Sequence, residues 1–456
     1  MSVTKNLSLA KNRNFLIVAI ALGVILNPLN TTMITVALPE IKNEFMLSSK
    51  DITWLIASYF IISAIFLPLI GKLSDVFGRK NIFLLGLLLV GISSFTAPLS
   101  PNMPFLLAMR AIQAIGTSAL YPAGIGIVRS YIEKNQNRVI ATLSVFATTT
   151  AAFGPTISGL LIQQGGWHVI FYINFPIIII SAILAVLFIP KDEKRTAGTF
   201  RLDGIGILLF SFLITLWMYF FQTLDSGLNL WVLIGSIALT LLFYFFEKKK
   251  AEPFIDVVFL KKNLNVTFVY VQYILSTLIF FAMLLSMPIY LQSVLLLDSK
   301  QTGIMMLSIS IFGIIITPIA TRFIEKAGWR IPLLTGGIIG IAGVILLLTV
   351  NQDSPLYWIF FVLSMIGVSN GILNIGLQTL LYSFVSVAET GTVSGLFMTS
   401  RFLGNILASS LFGVMFATGV NDTNQNWMTI ILIVVSVILL PGILYVTKGK
   451  PAANTP

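Results

Sequence analysis

Arg110 stands inside an apolar run, 104–128, and Gln113, Thr117 and Tyr121 follow it at steps of three, four and four residues. On a helix that spacing draws one polar stripe along an otherwise apolar rod. A guanidinium at the centre of a hydrocarbon layer costs ~2.5–3.5 kcal/mol on insertion scales, so it must be paired or wetted. The chemistry such a stripe offers is recognition of a polar or charged cargo, not bond making. Three more runs carry stripes: Asn27, Asn30, Thr31 and Thr35 in 15–38, Asn370, Asn374 and Gln378 in 356–383, and Ser394, Arg401, Asn405 and Ser409 in 393–418. Pro28 is set to kink the first of these. Tyr59, Tyr121 and Tyr273 could add stacking or cation–π contacts. Acid–base or metal chemistry needs clustered His, Cys, Asp or Glu. The chain has one histidine, His168, and no cysteine, and its carboxylates Glu40, Asp51, Asp75, Asp203, Glu325 and Glu389 sit near the ends of apolar runs. A membrane enzyme and a metal site are therefore disfavoured. Neither a pore-lining ring nor a re-entrant filter is visible, which disfavours a channel.

The elements that must position these stripes are membrane helices. Of 456 residues, 57% are hydrophobic and 10% charged, against ~25% charged in a soluble domain. The net charge of +11 is confined to short gaps between apolar runs, which reads as positive loops on a polytopic membrane protein and not as nucleic-acid binding. Runs of spanning length lie near 15–38, 53–71, 81–99, 104–128, 139–163, 170–190, 203–222, 230–246, 266–291, 301–322, 331–350, 356–383, 393–418 and 428–447. Lys5, Lys11 and Arg13 give the N-terminus the outline of a signal peptide, but the run from Phe15 to Leu38 is too long for one and reads as an uncleaved first span. Alternate loops hold nearly all the Lys and Arg, so the expected fold is all-α and polytopic, with 14 transmembrane helices and both termini cytoplasmic. The expected division is a six-helix bundle over 1–190, two extra helices and linkers over 191–265, and a second six-helix bundle over 266–456.

One loop stands out. In "GKLSDVFGRK", Gly71 and Gly78 permit a tight turn and close backbone approach, while Asp75, Arg79 and Lys80 concentrate charge at the end of span 2. "TRFIEKAGWR" (Thr321 to Arg330) repeats the acid, glycine and base spacing in the second half. The first loop resembles the signature loop between spans 2 and 3 of major facilitator superfamily transporters. "LLAMRAIQAIG" (Leu106 to Gly116) resembles the span-4 motif of that superfamily, and "GPTISG" (Gly154 to Gly159) its antiporter motif. "NTTMITVALP" (Asn30 to Pro39) and "WHVIFYINFP" (Trp167 to Pro176) resemble its fourteen-span drug/proton antiporter branch.

The resemblance implies two six-helix bundles with two inserted helices, moving by alternating access to export hydrophobic, often cationic drugs in exchange for protons. It implies a cargo cavity lined by the four stripes, a gate in the loop from Gly71 to Lys80, and a moving seal at Gly154, Pro155 and Gly159. Asp75 is expected to latch against the start of span 13, near Thr390 and Thr392. Asn30 stands where the branch has an aspartate, so the proton is expected on Glu40 or Asp75, with Arg110 taking part. The other implied properties are a monomer in a bacterial-type cytoplasmic membrane, no cofactor beyond the proton gradient, and drugs, protons and the lipid bilayer as partners. A tetracycline-type, lipid or siderophore exporter on the same scaffold is the alternative. His168 reads as a residue of an outer loop.

Overall fold

A computed structural model describes residues 2–132, 136–190, 203–224, 227–250, 253–351, 353–385 and 390–448. Among them every regular element is helical, as it must be where peptide groups have only their own segment to bond to. Each of the fourteen apolar runs overlaps a helix, and eleven of the helices are long and apolar enough to cross a membrane among the described residues.

Residues Met1–Glu40 and Ile62–Phe200 form one compact unit. It contains most of α1 (Ser2–Glu44) and the second half of α2 (Ser49–Phe77), then α3 (Arg79–Thr96), α4 (Met103–Tyr131), α5 (Gln136–Gly165), α6 (Val169–Tyr172) and α7 (Asn174–Phe188). Its core joins Leu16, Ile20 and Val24 of α1 to Phe83 and Leu87 of α3 and to Leu120 and Ile127 of α4. Gly78, at φ 95°, makes the break between α2 and α3, a conformation open to glycine and strained for other residues. Asn102 starts α4 by accepting the Phe105 N–H at 3.0 Å, an N-cap that satisfies an otherwise orphaned donor. Helices α3 and α4 then meet backbone to backbone: a Cβ on Gly86 would lie 2.8 Å from Gly116 O, and one on Gly116 would lie 2.9 Å from Gly86 O.

Residues Ile41–Ile61 and Arg201–Pro456 form the second unit. Its helices after Arg201 are α8 (Gly204–Thr223), α9 (Leu230–Lys248), α10 (Val257–Lys262), α11 (Leu264–Ser293), α12 (Ser299–Ala327), α13 (Arg330–Leu346), α14 (Leu356–Ser383), α15 (Thr390–Met415) and α16 (Asp422–Val446). The α8–α9 hairpin, read from the sequence as an insertion, groups with this unit because α8 packs on α15. Residues 41–61 group with it as well, Phe60 packing edge-on against Phe281 at 4.8 Å and near Phe402 at 6.0 Å.

In lipid, helices gain little from hiding apolar surface from one another, so tight van der Waals packing takes over. Helices α12 and α14 achieve it with Gly367 and Gly371, four residues apart: Cβ atoms there would lie 2.2 Å from Ile309 O and 2.5 Å from Gly313 O. Because the obstacle is backbone, no rotamer change relieves it. Gly367→Val is accordingly expected to lower the thermal midpoint of the purified protein sharply, overpacking costing ~1–3 kcal/mol or more. An unchanged midpoint would show that α12 and α14 are not packed this closely.

Candidate functional site

The first unit holds a continuous polar network in its apolar interior. Pro28 lies inside α1 and has no N–H to give the carbonyl of Val24 one turn back. Thr31 and Thr32 Oγ1 both turn back to Pro28 O, at 2.9 and 2.8 Å, and Thr35 Oγ1 donates to Thr32 O at 2.7 Å. Asn30 reaches across to α7 and exchanges hydrogen bonds with Asn174: Asn30 Nδ2 donates to Asn174 Oδ1 at 3.1 Å, and Asn174 Nδ2 to Asn30 Oδ1 at 2.8 Å. Gln113 Nε2 of α4 donates to the same Asn30 Oδ1 at 3.0 Å. Arg110 Nη1 donates to Gln113 Oε1 at 2.7 Å and to Asn30 O at 3.2 Å. Ser94 Oγ of α3 closes the set, accepting from Asn174 Nδ2 at 2.9 Å and Gln113 Nε2 at 3.4 Å. One turn along, Asn27 Nδ2 donates to Thr117 Oγ1 at 3.2 Å.

Arg110 is 2% exposed, and Gln113, Asn174 and Ser94 are completely buried. The α4 stripe read from the sequence as lining a cargo cavity therefore turns its Arg110 and Gln113 toward α1, α3 and α7, inside the first unit. The guanidinium's named acceptors here are a neutral amide and a carbonyl, which spread its charge over fixed dipoles. An aspartate at position 30 could not reproduce this: it would lose the donor that Asn30 gives to Asn174. Ser94 and Asn174 were absent from the sequence-derived site. Asn174 lies within the quoted "INFP" segment, and a polar residue at the head of an apolar run was the available signal.

The antiporter-motif residues form a contact between α5 and α1. Gly154, Pro155 and Gly159 are buried. A Cβ on Gly154 would fall 1.9 Å from Thr32 Oγ1, and Ser158 Oγ donates to Met33 O at 2.7 Å.

The loop between α2 and α3 has a partly different role from the one its charges suggested. The surroundings of Gly71 and the side chains of Lys72 and Asp75 lie outside the described residues, as do Glu389 and the side chains of Thr390 and Thr392, so the expected latch does too. Lys80 Nζ donates to Val186 O at 2.8 Å and Ile189 O at 2.6 Å, and Arg79 Nη1 donates to Gly126 O and Ser130 Oγ. Lys80 thus sits on the C-terminal end of α7, where carbonyls lack donors and the helix dipole favours positive charge, and Arg79 lies along the last turns of α4. They fasten α3 to its neighbours. Glu40 Oε2 and His168 Nδ1 flank Gly166, at 3.6 and 3.7 Å from where its Cβ would be, and His168 stacks on the buried Trp167 at 4.0 Å.

In the second unit, Asn374 Nδ2 meets Tyr273 OH at 3.5 Å, and the Tyr273 ring stacks on Phe397 at 3.8 Å and 10°. Asn370 lines a small pocket with Ser276, Gly337, Gly340, Ser369 and Ser436, between α11, α13, α14 and α16. Asn405 is buried, its Oδ1 unbonded among the described residues, whereas Gln378 and Arg401 are half-buried, as is Tyr121 in the first unit. Tyr59 is fully buried beside Phe60, which makes it a core residue of the second unit.

Long apolar helices with buried polar clusters describe a multi-pass membrane protein. The Major Facilitator Superfamily model matches residues 20–409, and the chain belongs to that family, which makes it a transporter and not an enzyme. It is 37% identical over 430 residues to the "Uncharacterized MFS-type transporter YwoD" of Bacillus subtilis (strain 168), covering 93% of this chain and 95% of that protein. It is 28% identical over 418 residues to the riboflavin transporter RibZ of Clostridioides difficile (strain 630), covering 89% of each. It is 24% identical over 425 residues to the multidrug resistance protein Stp of Mycobacterium tuberculosis (strain CDC 1551 / Oshkosh), covering 89% of this chain and 76% of that one. Among solved structures, a bacterial homologue of the human lysosomal transporter Spinster, inward-facing and unoccupied, superposes with a TM-score of 0.68 at 15% identity, covering 97% and 99% of the two chains.

Proposed function

We propose that this protein is a multidrug exporter that exchanges hydrophobic, often cationic compounds for protons by alternating access. In this reading it has fourteen spans and cytoplasmic termini, works as a monomer in a cytoplasmic membrane of bacterial type, and uses no cofactor beyond the proton gradient. The observation that carries it is the α5–α1 contact at Gly154, where the antiporter-motif residues bring a backbone to within touching distance of Thr32. A seal of this kind can open and close without rebuilding either helix. The similarity to a protein named for multidrug resistance supports the cargo class. In this reading half-buried Asn374, Gln378 and Arg401 of the second unit meet cargo, and Glu40 and Asp75 are the carboxylates proposed to carry the proton. The similarity to a riboflavin transporter favours a second reading, transport of a planar metabolite such as a flavin.

Dye and drug uptake into inverted vesicles with an imposed pH gradient tests both. Uptake is expected to follow the gradient and to stop when a protonophore removes it. Uptake indifferent to the gradient would refute proton exchange, and flavin uptake with no drug uptake would favour the second reading.

A further inference from the structure

Two carboxyl groups at one end of the α8–α9 hairpin have no part in the reading above. Asp203 caps α8: its Oδ1 accepts the Gly206 N–H at 3.1 Å and lies 3.4 Å from Lys250 Nζ. Glu247, in the last turn of α9, accepts the Ile255 N–H through Oε2 at 2.9 Å. They are only 6% and 1% exposed. Their remaining oxygens, Asp203 Oδ2 and Glu247 Oε1, receive nothing from any N–H or O–H among the described residues. Those oxygens converge on one point: the position of a Cβ on Gly206 is 2.5 Å from the first and 2.2 Å from the second. The two carboxyl groups therefore face each other across Gly206.

Two ionised carboxylates cannot satisfy this arrangement. Each is acceptor-only, and like charges in a poorly solvated place repel strongly. One proton resolves both problems: the facing oxygens form an O–H···O bond, and two acids with Lys250 become electrically neutral. Among the described residues, Lys250 is the cation paired with this site, while Lys248 and Lys249, next to Glu247 on α9, are exposed. Lys250 is committed to Asp203 and to the face of Phe246, 4.8 Å from its ring centre. Asp256 turns away to cap α10, accepting the Val258 and Phe259 N–H groups. Lys261 and Lys262 stand at the far end of α10, α11 carries no charged residue, and Arg401 is the one charged side chain on α15, far along it from its first turn.

We propose that Asp203 and Glu247 form a binding site for a single proton, shared between Asp203 Oδ2 and Glu247 Oε1. The bound proton fastens the segment from Phe254 to Asp256 onto the hairpin, because Glu247 holds Ile255 while Phe254 packs on Phe210 at 5.3 Å. Loss of the proton to solvent leaves two facing negative charges and loosens that strap, which leads through α10 to α11. The site depends neither on the cargo nor on the direction of transport.

Infrared difference spectroscopy of the purified full-length protein through a pH titration is the direct test. The wild type is expected to keep a protonated-carboxyl C=O band at neutral pH that Glu247→Gln and Asp203→Asn each remove. Both variants retain the acceptors used by Ile255 and Gly206, so the fold is preserved. Thermal unfolding gives a second readout. The folded protein holds a proton that the unfolded chain releases, so the wild-type midpoint falls by a few degrees as pH rises through neutral. Glu247→Gln supplies a permanent N–H donor to Asp203, and its midpoint stays level over the same range. A wild type lacking the band at neutral pH, or a band that survives both substitutions, overturns the proposal.

Discussion

A Gly154→Val protein is expected to reach the membrane and to transport nothing. The Cβ that any substitution adds would lie 1.9 Å from Thr32 Oγ1, 2.9 Å from Thr32 Cβ and 3.4 Å from Met33 N. Valine adds two branches beyond that Cβ and is stiff at χ1, so it cannot fold the extra volume away. Overpacking of this kind costs ~1–3 kcal/mol, enough to push α1 off α5 without preventing insertion. The displaced stretch of α1 carries Asn30, so the damage passes directly into the polar network. Thr32→Ala removes the nearest obstacle and is expected to restore part of the activity of Gly154→Ala; a double-mutant cycle reads that coupling. Ser158→Ala, which loses one bond to Met33 O, should cost only about 1 kcal/mol. Vesicle transport and thermal midpoints together check the series. A fully active Gly154→Val protein would falsify the seal.

Arg110→Leu is expected to lower transport at least ~tenfold, the loss of ~1.4 kcal/mol or more from the productive state, yet to change stability little. Two opposing terms decide this. The substitution forfeits charge-assisted hydrogen bonds to Gln113 and Asn30, ~1.5–3 kcal/mol each. It also removes a cation whose burial in the span costs ~2.5–3.5 kcal/mol. The terms nearly cancel, whereas the geometry of Asn30 and Gln113 is lost outright. Gln113→Leu should therefore be the more destabilising of the two, because it leaves the charge buried and takes one of its acceptors away, a change worth ~1–3 kcal/mol or more. Arg110→Lys keeps the charge but not the planar fork and should recover only part of the transport. A midpoint lower in Arg110→Leu than in Gln113→Leu would reverse this assignment of costs.

The residue types of the network were legible before its geometry was. Asn30, Arg110 and Gln113 stood out because polar groups in an apolar run are expensive, but the stripe rule gives a direction around a helix and not the neighbour that lies there. Ser94 was invisible, since a lone serine in a span costs almost nothing. Arg79 and Lys80 were read as gate charges; a loop sequence does not say which helix ends lie near it, and here those ends are the carbonyls of α4 and α7. Tyr59, read from the sequence as a candidate stacking contact, is fully buried beside Phe60.

The sequence by itself determined the solvent, the all-helical class and the family. These depend on composition, run length and local motifs, and a peptide in hydrocarbon has almost no choice but to satisfy its backbone within one segment. Tertiary structure alone decided which stripe meets which. It closed Asn30, Ser94, Arg110, Gln113 and Asn174 into one network from four helices, set Gly154 against Thr32, and brought Asp203 face to face with Glu247 across 43 intervening residues. Hydrogen bonds between side chains reach only about 3 Å, so such contacts turn on the register and rotation of whole helices. Those are set by packing summed over both partners, a quantity no single segment contains.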